Sequence, residues 1–153
     1  TNFTYWTQHC WGVTCVNDME AMLSYQPITI GDKEQALADL VRCYEKMMMR
    51  SHTNGGYVNL LDECWKMCEK FHTNIVIMYD HVSCKNVGGL HGLFEDQARE
   101  RGIHLIWIPH DVMDPRTVSR REMREAFSQY MVTVLNEKPL DPTLLDYEDA
   151  LSW

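Results

Sequence analysis

Cys84 stands in a short polar stretch, Asp80-His81-Val82-Ser83-Cys84-Lys85-Asn86, directly after the apolar run Asn74-Ile75-Val76-Ile77-Met78-Tyr79. A cysteine there can act as a nucleophile or as a metal ligand, and both roles need the thiolate. An expected helix starting near residue 88 would stabilise that anion through its N-terminal dipole, and Lys85 adds a positive charge beside it. Asn86, Gly88 and Gly89 leave room for close approach and offer backbone donors. His81, three residues upstream, can orient a ligand or act as an acid. A Cys84–His81 pair would also suit a hydrolase or transferase nucleophile with its base. The chain contains no G-x-S-x-G, no P-loop and no G-x-G-x-x-G to point to those chemistries.

The other five cysteines read as structural. Cys64 and Cys68 are four apart on one helix face beside Trp65, where buried thiols behave as small hydrophobes. Cys43 flanks the apolar side of another helix. Cys10 and Cys15 are five apart, which on a strand directs them to opposite faces, so they are not expected to grip one ion together. The C-x2-C element of zinc sites is absent. Asn17-Asp18 reads either as a turn or, if it follows a strand, as a site-lining pair, with Asp18 a candidate cofactor contact.

These residues need elements to hold them. The run Trp-Gly-Val-Thr-Cys-Val over 11–16 suggests a short strand. A helix is expected over about 33–49, with Asp32 and Gln35 as a capping box and Ala36, Leu37, Leu40, Val41, Tyr44, Met47 and Met48 at helical spacing. Ser51 to Gly56 reads as a break. A second helix follows over about 58–71, on which Val58, Leu61, Trp65, Cys68 and Phe71 share a face. Residues 74–79 suit a buried parallel strand. A helix over 88–101 stops at Gly102, and Ile103-His104-Leu105-Ile106-Trp107-Ile108 forms the next buried strand, ended by Pro109. Ser119 and Glu122 form a capping box for the last helix, striped by Met123, Phe127, Tyr130, Met131, Val134 and Leu135. Helix, strand, helix, strand, helix with short connections predicts an α/β fold, a parallel sheet with helices on both faces in a Rossmann-like or flavodoxin-like three-layer arrangement. Residues 1–137 are expected to form one such domain, and 138–153 an acidic tail or linker. In such sheets sites gather at the carboxyl ends of the strands, which selects Asn17-Asp18, the loop 80–87 and Pro109-His110-Asp111.

The order of motifs over 74–116 resembles the C-terminal α/β domain of the 2-hydroxyacyl-CoA dehydratase and benzoyl-CoA reductase family. The shared features are His81-Val82-Ser83-Cys84-Lys85 after a strand, a helix closing on Arg99-Glu100-Arg101-Gly102-Ile103, a second strand, Asp111-Val112-Met113-Asp114-Pro115-Arg116, and a helix opening after Ser119. His104 stands where the family usually has proline. The likeness covers about 58–137 well and 10–50 more weakly. It implies a [4Fe–4S] cluster with Cys84 as one ligand and the others outside this sequence. It further implies a homologous second subunit, an acyl-CoA substrate, and a separate ATP-hydrolysing activator that delivers one electron. The implied chemistry is a ketyl radical elimination of water from a 2-hydroxyacyl-CoA, or reduction of an aromatic acyl-CoA. His81, Ser83, Lys85 and Asn86 are the candidate cluster-shell or substrate-facing groups.

Composition limits the rest. The net charge is −8, and the basic residues are scattered, which argues against a nucleic-acid partner. No apolar run approaches the length of a membrane span. The start, Thr1-Asn2-Phe3-Thr4-Tyr5-Trp6, has neither an initiator Met nor a signal-peptide pattern. It reads as part of a longer subunit, inactive alone and cytoplasmic, where thiols stay reduced. The rival readings are a non-cluster scaffold subunit, a Cys84/His81 enzyme, and an interaction domain without chemistry.

Overall fold

The computed structural model describes residues 2–19, 27–45, 47–114 and 116–146. It is a mixed α/β chain with a two-stranded parallel sheet and seven α-helices among those residues. Two compact units share the chain. Thr1–Cys15 and Asn74–Trp153 form one, and Val16–Thr73 forms the other. The expected division of 1–137 from 138–153 therefore matches no unit boundary.

The first unit is built around the sheet. Strand β1 (Ile75–His81) pairs in parallel with β2 (His104–His110), from Ile75 opposite His104 to His81 opposite His110. Because strand side chains alternate, Ile75, Ile77, Tyr79 and His81 share a face with His104, Ile106, Ile108 and His110. That face meets α1 (Asn2–Trp11) and α7 (Arg120–Thr133) in a core of Trp6, Cys10, Trp11, Ile106, Ile108, Phe127 and Met131. Phe127 packs edge-on against Phe3, Trp6 and Trp11. On the opposite face, Trp107 meets His91 and Phe94 of α6 (His91–Arg101). The sheet is thus covered on each side by a different set of helices.

Several local expectations are met for their stated reasons. Ser119 Oγ accepts from the Glu122 amide, and the Glu122 carboxylate accepts from the Ser119 amide, so the capping box closes. Gly102 ends α6 in the left-handed region (φ 66°), and Ile103 N–H donates back to Ala98 O. Pro109 lies inside β2 rather than ending it. The Leu105 N–H is directed at the Tyr130 hydroxyl, away from β1. Residue 109 has the same parity, so the proline leaves no ladder donor missing.

Other expectations are corrected. Residues 11–16 are not a strand. Trp11 closes α1, and Gly12 leaves it at φ 73°. Phe3, Trp6, Thr7, Cys10 and Trp11 recur at helical spacing, and that period governs. The expected helix over 33–49 is two, α2 (Lys33–Glu45) and α3 (Met48–Gly55), and α3 occupies the expected break. The expected capping box is half made: Asp32 Oδ1 accepts from the Glu34 and Gln35 amides, while the Gln35 amide group turns to Asp39. The α2 stripe of Leu37, Leu40, Val41 and Tyr44 is exposed, and buried Asp39 holds the other side of the helix through Thr29, Gln35 and Arg42. On α4 (Tyr57–Phe71) the buried face is Leu61, Cys64, Trp65 and Cys68, while Val58 and Phe71 stay exposed. No residue of β1 is fully buried, against the expectation of a buried strand.

Part of the expected tail is packed. Leu140 and Asp141 amides donate to Cys10 O, and Trp6 Nε1 donates to Leu144 O in a 3-10 turn over Pro142–Leu144. The remainder of the tail, 147–153, lies outside the described residues, as does Pro115 of the 111–116 motif.

Candidate functional site

The carboxyl ends of β1 and β2 lie side by side, and the residues that follow them form the candidate site. Val82 N–H donates to His110 O at 3.1 Å and ties the two strand ends together. The chain then turns tightly. Cys84 N–H donates to His81 O (2.8 Å), and Gly88 N–H donates to Cys84 O (3.0 Å). Cys84 is half-buried at φ −89°, ψ 84°, immediately before α5 (Lys85–Gly88).

The expected single helix over 88–101 is therefore split into α5 and α6. This changes the electrostatic argument for Cys84. A helix of four residues aligns too few peptide dipoles to favour a thiolate as a longer helix would. Lys85 follows Cys84 in sequence, and its side chain is exposed, as is Asn86.

His81 is held by its own turn. The Ser83 N–H donates to His81 Nδ1 at 3.2 Å. An imidazole nitrogen that accepts a hydrogen bond carries no proton, so in the neutral ring the proton sits on Nε2. His81 is thereby set as a hydrogen-bond donor at Nε2. In that tautomer the nitrogen that accepts is already occupied by the Ser83 amide. Ser83 contributes through its amide, and its exposed hydroxyl is the remaining candidate contact.

His110 sits opposite His81 in register, with ring centroids 6.1 Å apart, and Tyr79 lies 5.2 Å from His110. Asp111 comes next. Its carboxylate accepts from the Met113 and Asp114 amides, which holds its pKa below the usual aspartate range; the Thr117 hydroxyl and the charge of His81 act in the same direction. Asp114 is held low in turn by a two-pronged pair with Arg116, Nε to Oδ1 at 2.9 Å and Nη2 to Oδ2 at 2.8 Å. The loop after β2 is thus a stack of carboxylate-anchored turns.

Asp18 was expected to line a strand end. It follows no strand, is exposed, and belongs to the other compact unit. Cys64 and Cys68 are buried on α4, and Cys10 is fully buried on α1 with its thiol on Asp141 O. Burial pushes the Cys10 thiol pKa up, which suits a structural thiol. None of the six cysteines is in a disulfide. Among the described residues, no group of three or more His, Cys, Asp or Glu side chains is arranged to hold a metal ion. A cleft of about 430 Å³ lined by Trp11, Asn74, Ile75, His104, Met131 and Glu137 opens at the other end of the strands and is separate from this site. No described helix is long and apolar enough to cross a membrane.

Comparison of the chain with protein-family profiles, with curated proteins and with solved structures yields no match.

Proposed function

We propose that this chain is an α/β domain of a subunit in the 2-hydroxyacyl-CoA dehydratase and benzoyl-CoA reductase family. In this reading Cys84 supplies one thiolate ligand to a [4Fe–4S] cluster whose other ligands lie outside the sequence. The observation that carries the reading is the position of Cys84: half-buried, in a tight turn, at the carboxyl end of a parallel strand. Open α/β sheets bind ligands at that edge. The order of motifs around it supports the same family. The two-stranded sheet, covered on both faces, would be the local part of a Rossmann-like three-layer fold.

When bound, the cluster supplies low-potential one-electron chemistry. The chain's own residues do the rest. The Cys84 thiolate holds its place in the turn fixed by His81 O. His81 offers its Nε2–H, and Ser83, Lys85 and Asn86 offer donors toward an acyl-CoA thioester. The reaction is loss of water from a 2-hydroxyacyl-CoA or reduction of an aromatic acyl-CoA. It runs in a cytoplasmic heterodimer served by an ATP-hydrolysing activator.

The test is iron and acid-labile sulfide content of the subunit with its partner, prepared without oxygen. The wild type is expected to hold about one four-iron cluster per subunit, and Cys84→Ala to be bleached or strongly depleted. A colourless wild type after anaerobic reconstitution overturns the reading and leaves a scaffold subunit in its place.

A further inference from the structure

The connection that carries Cys84, residues 82–90, has few anchors of its own. Its backbone bonds are almost all local: Cys84 to His81, Lys85 to Ser83, Gly88 to Cys84, Gly89 to Lys85, and Leu90 to Val87. Only the Val82 amide reaches a neighbouring strand, at His110 O, and only Leu90 is fully buried. A segment built this way has little packing to hold its shape and depends on how its two ends are fixed.

Those ends meet through side chains. Asp80 is the penultimate residue of β1, and His91 is the first residue of α6. His91 Nε2 lies 3.3 Å from Asp80 Oδ1 across the connection. The contact is a close approach rather than an aligned hydrogen bond, since Nε2 has no partner of hydrogen-bond geometry. The His91 ring is also stacked flat on Trp107, with centroids 3.6 Å apart and planes 17° apart. Trp107 is paired with Met78 across the sheet, so the stack sits on the central ladder. One imidazole therefore touches the end of β1 and the middle of β2 together, and closes the connection from β1 to α6.

We propose that Asp80, His91 and Trp107 form a clamp that sets the position and accessibility of Cys84, with Asp80 and His91 as positioning residues. The inference deepens the proposed role of Cys84 and rests on it for its purpose, although the clamp can be tested without iron. Pinning both ends of the connection removes most of the loop's freedom, so the thiol is presented in one geometry. Without the pin, the exposed connection frays and the half-buried thiol opens to solvent.

The experiment is iodoacetamide alkylation of the native full chain, with each cysteine followed separately by peptide mass spectrometry. His91→Phe keeps a ring on Trp107 and loses the contact with Asp80. Asp80→Asn keeps the shape and loses the charge. Each single variant is expected to raise the Cys84 alkylation rate about threefold, the scale of one partly exposed polar contact. The double variant should add little further, because both remove the same interaction. Cys10, which is fully buried, reports global unfolding and is expected to stay unlabelled. Unchanged Cys84 rates in both single variants overturn the clamp. A parallel rise at Cys84 and Cys10 also overturns it, since the pair would then serve only general stability. Iron content enters neither outcome, so failure of the clamp and failure of the cluster reading are separate results.

Discussion

At the residue scale, the chemistry gathers where two parallel strands end. Cys84 and His81 are joined by a backbone bond, and the Ser83 amide decides which nitrogen of His81 carries its proton. Asp111 is held toward its charged form there, with its pKa lowered first by the Met113 amide. A lowered carboxylate pKa stabilises the fold above the ordinary aspartate value, and that stability is lost as pH falls through the folded-state value. Thermal midpoints of wild type and Asp111→Asn are therefore expected to differ at neutral pH and to converge in acid, below about pH 4. Midpoints that stay equally far apart through the acid range would show that the carboxylate charge is not what holds this loop.

At the scale of the element, the helix ends are the best determined parts. The reciprocal bonds of Ser119 and Glu122 satisfy two amides that α7 would otherwise leave open. Ser119→Ala is expected to cost about 1 kcal/mol, read as a lower urea midpoint at unchanged slope. Gly102 ends α6 at φ 66°, and Gly102→Ala is expected to cost a similar amount, about 1 kcal/mol, because a Cβ is strained in that region. The split of the expected helix into α5 and α6 matters more for function. It places Cys84 ahead of a single turn, and transfers the burden of holding the loop to the contact between Asp80 and His91.

At the scale of the whole molecule, the sheet unit is assembled from both ends of the chain. Phe127, with no exposed surface, joins α7 to three aromatic residues of α1. Phe127→Ala is expected to destabilise this unit by about 3–5 kcal/mol through the cavity it leaves, measured by chemical denaturation followed by tryptophan fluorescence. The packed stretch of the tail adds to the same core. Removal of residues 138–153 deletes the bonds from Leu140, Asp141 and Trp6, and is expected to cost roughly 3 kcal/mol, at about 1 kcal/mol for each bond. A truncated chain as stable as the full one would show the tail to be a passive linker.

Local signals in the amino-acid order were enough to place both strands, the helices over 57–71 and 120–133, the Gly102 stop and the Ser119 cap. Each of these depends on neighbours within a few residues, through hydrogen bonds and side-chain period. The same order suggested the strand end bearing Cys84 as the candidate site. It misread 11–16 as a strand, because a short apolar run has no period of its own and the helical spacing had to be read from Phe3 onward. Asp18, expected to follow that strand, follows an irregular stretch instead. The packed Leu140–Leu144 stretch and the contact between Asp80 and His91 are tertiary facts. Each depends on helices closing onto a sheet face, and those contacts join residues that are distant or unpatterned along the chain.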